Sequence, residues 1–389
     1  MKADSASHEP LGSEQPEQSK MMPTNAIRRC AQPVLIALAC AAGLVGYAVV
    51  PAAAFAESKW EAQSVPSTSE LTELEAVSCI STSECFATGR ASTALTAERW
   101  SGGKWTQQTV SSAGRAEDVS CVSATFCLVP SGGANFVHWN GTAWSEKGYN
   151  AAEIPVGAKE FQLKRVSCVS ATFCMAVGGY KNASGHERTI AEKWSGASWS
   201  IVATPSEEGE KALNYLLDVV CTSTTSCTAV GSEGSKPVAL RWNGTEWTVL
   251  SAPATTLGRI SCSGPSACIG LGSVGYQTTE AWDGTKWTST PVTQPEGSVQ
   301  TTIHGISCVS ASSCEVVGEY SPGIINADVT LAEHWNGATW VVQSTPNPFG
   351  EGMSQLTSVS CVPGTSVCEA VGYKREHVGA AKTFALRYE

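Results

Sequence analysis

The chain has 389 residues, 42% of them hydrophobic and 15% charged, with a formal net charge of −10. That mix excludes a disordered chain and leaves room for a real core. The acidic balance, with no basic stripe interleaved with aromatics, excludes nucleic acid as a partner.

In chain order, a polar stretch from Met1 to Lys20 comes first, followed by the basic "NAIRRC", an apolar run from Val34 to Val50 and the small-x-small site Ala54 to Ala56. Together these read as a secretory signal cleaved after residue 56, with Met21 or Met22 as alternative starts. Uncleaved, the seventeen apolar residues from Val34 to Val50 would act as an anchor at the short limit for spanning a bilayer. The expected arrangement is therefore a leader over 1–56 and a body over 57–389, secreted or at the cell surface, with no membrane insertion once the signal is removed. Sixteen cysteines fit such a compartment, where disulfides persist.

The body repeats. Cysteine pairs open at Cys79, Cys121, Cys168, Cys221, Cys262, Cys308 and Cys361 and close at Cys85, Cys127, Cys174, Cys227, Cys268, Cys314 and Cys368. Between them run "WSGGKW", "WNGTAW", "WSGASW", "WNGTEW", "WDGTKW" and "WNGATW". The seventh copy of this second marker is split: "FALRYE" at the C-terminus matches the lead into the first Trp, and "KWEAQSVP" from Lys59 matches the part that begins at the second.

Each repeat supplies four strand-like pieces: "LxxVSC", the segment after the second cysteine, "AEHW"-type segments and "WVVQSTP"-type segments. The NG and DG dipeptides in most of the Trp markers signal a hairpin of two or four turn residues that places both tryptophans on one face, to pack between units. Four strands per repeat, seven repeats and offset ends predict an all-β, seven-bladed β-propeller closed by an N-terminal strand joining the C-terminal blade.

Five residues between cysteines suit a hairpin, so the pairs read as staples, one disulfide within each blade, each contributing about 2 kcal/mol by loop entropy. Metal binding would need four converging ligands, and each blade offers two thiolates without a histidine. A redox centre would favour a two-residue spacing. With no HExxH, GxSxG, phosphate or calcium loop, neither metal nor cofactor is expected.

The phrases "SCVSATFCMAVG" and "AEKWSGASW" resemble seven-bladed propellers of the kelch or sialidase-repeat type, as exported by actinobacteria, over the whole of residues 57–389. That resemblance implies a fold and no particular chemistry. The chain lacks the regular double glycine of kelch repeats and the SxDxGxTW boxes of sialidases, so no catalytic residue is carried over.

Apart from one extra residue between Cys361 and Cys368, length varies only in the connections from second to third strand and from fourth strand to the next blade. Both emerge on one face of the disc, where partners are expected to bind. The longest connections carry Tyr180, Tyr320 and Tyr373 with Lys181, His186, Arg375 and His377, a candidate set for a sugar or a peptide; the bland reading has the tyrosines packing on neighbouring blades. A second set comes from the first strand, which lines the central channel: Asp118, Arg165, Asp218 and Arg259, three residues before their cysteines, with His304 one position out of register. These could serve a carboxylate-based hydrolase or lyase, or be ion pairs between blades, Asp118 with Arg165 and Asp218 with Arg259. The expected function is a monomeric binding module for an extracellular glycan or protein ligand. A secreted carbohydrate-active enzyme and a passive envelope protein are the alternatives.

Overall fold

The structure is a computed structural model, and it describes residues 59–389 apart from 67–71, 92–93, 111–115, 147–153, 206–213, 274–276, 324–326, 348–351 and 376–380. The leader expected over 1–56, and His377, lie outside the described residues. Seven antiparallel sheets of four strands are present, each with its strands in sequential order from a to d, so the chain forms a seven-bladed β-propeller. Blades are numbered 1 to 7 from the one holding Cys79. Blade 7 closes the ring as expected: Met353–Cys361, Cys368–Arg375 and Ala381–Tyr388 are followed by Trp60–Gln63 from the other end of the chain, with Trp60 opposite Tyr388.

Every cysteine pair is a disulfide between facing residues of strands a and b, from Cys79–Cys85 to Cys361–Cys368, with Cα atoms 3.9–4.0 Å apart. These bonds fit an oxidising environment. The Trp pair of each marker also faces across its hairpin, rings 5.2–5.9 Å apart. The turn has two residues in blade 1, where Ser101 pairs with Lys104, and four in blade 2, where Asn140 Oδ1 accepts from the Thr142 and Ala143 amides. Where the marker begins WN or WS, the first Trp commonly donates to the a–b turn of its own blade, as Trp194 Nε1 does to Ala171 O at 3.0 Å. The pairs pack between blades: Trp242 and Trp247 of blade 4 share a cluster with Phe173, Met175 and Val177 of blade 3.

The "SC" of the repeat has a second purpose. The serine before the first cysteine accepts the cysteine N–H of the next blade, at 2.9–3.1 Å, in Ser78–Cys121, Ser120–Cys168, Ser167–Cys221, Ser261–Cys308, Ser307–Cys361 and Ser360–Cys79. The seventh junction has Val220 in that place, and there Asp218 reaches across instead, accepting from Ile260 N–H at 2.8 Å. Closure of the inner ring is thus written in single polar side chains, each worth about 1 kcal/mol.

The glycine after the second cysteine follows from a β-bulge. In six blades strand a slips register one residue before the channel-lining position: between Leu74 and Ala76, Leu163 and Arg165, Leu216 and Asp218, Leu257 and Arg259, Ile303 and Gly305, and Leu356 and Ser358. The bulge presses a carbonyl of strand a onto strand b. A Cβ on Gly178 would stand 1.9 Å from Gln162 O, and the same clash recurs at Gly89, Gly231, Gly318 and Gly372. Blade 2 departs from this plan. It has Pro130 where strand b would meet Asp118, and without that N–H the inner strand starts only at Ser120.

Candidate functional site: the channel mouth

The bulge decides what the channel presents. Each bulged residue, Glu75, Lys164, Leu217, Gly258, His304 and Thr357, turns into the mouth on the face of the variable connections, and Glu117 takes that place in blade 2. With Arg165, Arg259, Ser273, Gln355 and Tyr373 they line a cavity of about 380 Å³. The residues expected at the mouth stand one layer further in: Asp118, Arg165, Asp218 and Arg259 line a narrower space of about 160 Å³ beneath, and Arg165 and Arg259 reach both.

The deep carboxylates are committed to backbone. Asp118 Oδ2 accepts from Val166 N–H of blade 3 at 2.7 Å. Asp218 accepts from its neighbour Val219 N–H on one oxygen and from Ile260 N–H on the other, both at 2.8 Å. Desolvation pushes both carboxyls up, Asp218 to about 7, against the opposing pull of the same Arg165 guanidinium. Asp218 is therefore coupled to Arg165, while Arg259 Nε points at the His304 carbonyl, 3.4 Å away. Arg165 is 8% exposed; its Nη1 donates to Glu117 O at 2.6 Å and its Nε has no hydrogen-bond partner. Above this floor, Lys164 Nζ sits 5.0 Å from the Tyr215 ring centroid. His304 Nε2 pairs with Glu319 Oε2 at 2.7 Å.

The candidate tyrosines separate. All three lie within strand b, but Tyr180 and Tyr320 stand six residues after the second cysteine and Tyr373 only five, so a two-residue period turns Tyr373 the other way. Tyr180 packs on the cluster of Phe126, Leu128 and Phe136 in blade 2, and Tyr320 on that of Ile269 and Leu271 in blade 5. Tyr373 faces the mouth, with the Arg375 guanidinium 5.1 Å from its ring centroid. Arg375 also holds Glu73, which Arg90 binds from the other side at 2.7 Å. Lys181 pairs with Glu160, and His186 caps its own loop, its N–H donating to Asn182 Oδ1 at 2.9 Å. Among the described residues, the six nominated side chains therefore form no single aromatic ring around the channel.

Sequence reasoning missed two sets of residues. Apart from His304, the bulged positions were missed because the bulge has no residue signature beyond the glycine opposite it. The second set was in plain view: "AERW", "AEKW", "TEAW" and "AEHW" place Glu98, Glu192, Glu280 and Glu333 two residues before the first Trp, and each is at most 1% exposed. Burial raises Glu98 to about 8 and Glu333 to about 7. Glu333 Oε2 accepts from Thr293 N–H at 2.8 Å and Glu280 Oε1 from the Ser289 hydroxyl at 2.6 Å. Among the described residues, no group of three or more His, Cys, Asp or Glu side chains is placed to hold a metal ion, and no helix is long and apolar enough to cross a membrane.

No protein-family model matches the chain, and no curated protein matches it in sequence. Its fold is similar to several solved propellers. The structure of YCF48 bound to D1 peptide has a TM-score of 0.52 at 15% identity, covering 85% of this chain and 96% of that one. The WD40 β-propeller domain of Doa1 gives 0.56 at 10% identity, covering 85% and 97%. A virginiamycin B lyase from Staphylococcus aureus with quinupristin gives 0.57 at 9% identity, covering 85% and 100%. At such identities the likeness defines the fold class, a seven-bladed β-propeller, and leaves function to the site.

Proposed function

We propose that this chain is an exported binding module that takes a polypeptide ligand at the channel mouth, on the face of the variable connections. The carrying observation is the cavity of about 380 Å³ whose lining changes around the ring, with only Glu75 and Glu117 alike among the seven equivalent positions. A peptide suits it better than a sugar. Sugar rings stack on open aromatic faces, and the two rings nearest the mouth, Tyr373 and Tyr215, are each approached by a cation, Arg375 and Lys164. The tryptophans of the markers belong to the hairpins of the opposite face. YCF48, a propeller of the same class, is known in a complex with a peptide. Seven disulfides and the signal-like leader support export, and the resemblance of "SCVSATFCMAVG" and "AEKWSGASW" to repeat proteins exported by actinobacteria supports a bacterial origin. The test is a screen of the disulfide-intact protein against peptide and glycan arrays, repeated with Leu217→Arg to fill the mouth. Peptide capture lost in the variant is expected; capture unchanged by it would reject the mouth.

A second reading, elimination or hydrolysis, is favoured by one feature: His304 stands at the mouth with Glu319 orienting its ring. Propeller lyases exist in this fold class. Turnover of any arrayed substrate that disappears in His304→Ala would support it.

A further inference from the structure

The cations around the mouth fall into two groups. On the side of blades 7 and 1, Arg375 and Arg90 are bound to Glu73, and Arg90 also lies 3.8 Å from Glu75. On the side of blades 3 and 5, among the described residues, Lys164 meets an aromatic ring and Arg259 a carbonyl, and neither forms an ion pair. Arg165 lies in the floor between the two layers, nine-tenths buried, with one N–H unmatched. The carboxylates deep on that side, Asp118 and Asp218, turn their oxygens to backbone amides of the next blade. Arg165 is balanced by Asp118 and Asp218. Among the described residues neither Lys164 nor Arg259 has a carboxylate at ion-pair distance, so this flank keeps two uncommitted cations in a recess where desolvation strengthens any ion pair that forms.

We propose that this flank anchors a free carboxylate at the C-terminal end of a polypeptide chain, with Lys164 and Arg259 closing on it from blades 3 and 5 above Arg165. The inference rests on the binding reading above and names the chemistry of its anchor. A guanidinium offers a carboxylate two parallel N–H donors, and an ammonium adds a point charge. The shape selects a chain end over an acidic side chain. The cavity of about 380 Å³ at the mouth and the one of about 160 Å³ share Arg165 and Arg259, and a chain end can lead with its carboxylate toward both, whereas a side chain would have to bring two flanking lengths of backbone over the rim. The body of the ligand then leaves past Glu75 on blade 1, whose charge keeps the carboxylate on the flank of blades 3 to 5.

The experiment offers the full chain, disulfides intact, two bead libraries of random hexapeptides that differ only in ending as a free carboxylate or as an amide, with oligogalacturonate as a third probe. Enrichment is expected from the carboxylate library alone. Amidating the best sequence should weaken its binding by about tenfold or more, and Lys164→Ala with Arg259→Ala should do the same without moving the melting temperature. Equal enrichment from both libraries, enrichment from neither, or a selected peptide indifferent to the double variant would each overturn the anchor. Peptide binding that is insensitive to amidation yet blocked by Leu217→Arg would remove the anchor and leave the binding reading standing. Capture of oligogalacturonate in place of both libraries would replace the ligand class.

Discussion

The two ends of the channel obey different rules. At the hairpin end each blade repeats a disulfide, a serine that clasps the next blade and a pair of facing aromatics, with one exception at Val220 and Tyr388 standing in for a Trp. At the mouth the seven equivalent positions hold Glu, Glu, Lys, Leu, Gly, His and Thr. The bulge separates the two regimes. Below it strand a must mesh with both neighbours, and above it the released residue faces open space, where no packing constraint selects it. Uniformity marks where the ring closes, and variety marks where the proposed recognition surface lies.

This contrast can be broken most severely at closure. Removing Trp60–Gln63 strips blade 7 of its outer strand, together with the Trp60 bond to Gln343 Oε1 at 2.6 Å in blade 6. Loss of a single cooperative melting transition is expected, because an unclosed ring exposes sheet edges. Next in size is the bulge itself. Gly178→Ala sets a Cβ against a backbone carbonyl and should cost roughly 3 kcal/mol by denaturant unfolding, whereas Gly264→Ala, with open space around it, should cost far less.

The buried carboxyls give a pH dependence of intermediate size. Glu98 and Glu369 keep their protons to about pH 8 and Glu333 and Asp218 to about 7, against ordinary values of 4.5 for Glu and 3.8 for Asp. Between those limits the folded state binds more protons than the unfolded one, so stability falls as pH rises through 8. A melting temperature lower at pH 9 than at pH 5.5 by roughly 5 °C or more is expected, and Glu98→Gln should flatten part of the slope. Smaller still is the clasp: Ser167→Ala should cost about 1 kcal/mol, since it leaves the Cys221 N–H without its acceptor. Smallest is the mouth, where Lys164→Ala should change stability by about 0.5 kcal/mol or less, because its contacts are to solvent and one ring face.

The blade count, the strand order, the split seventh blade and all seven disulfides were legible in the sequence because each is carried by Cys, Trp or turn glycine recurring at nearly fixed spacing. The candidate cavity was legible in outline, since Arg165, Arg259 and His304 line it. Counting three residues back from each cysteine failed by one layer, since it cannot register a bulge; the mouth belongs to Lys164 and its equivalents. The tyrosines misled for a related reason. A shared position just after strand b conceals the offset between Tyr180 and Tyr373, which turns one into the core and the other toward the channel. The strand c glutamates were overlooked because charge beside a Trp reads as solvent-facing until the blade-to-blade packing is known.

The central claim, that recognition belongs to the varied mouth and not to the uniform hairpins, is tested most directly by a hydrogen-exchange footprint of the protein with a captured ligand. The account predicts slowed exchange at the amides around Lys164, Arg259 and His304, with the hairpins Asn140–Ala143, Asn243–Glu246 and Asn336–Thr339 unchanged. Protection confined to those hairpins would contradict it and make the conserved-looking face the recognition surface.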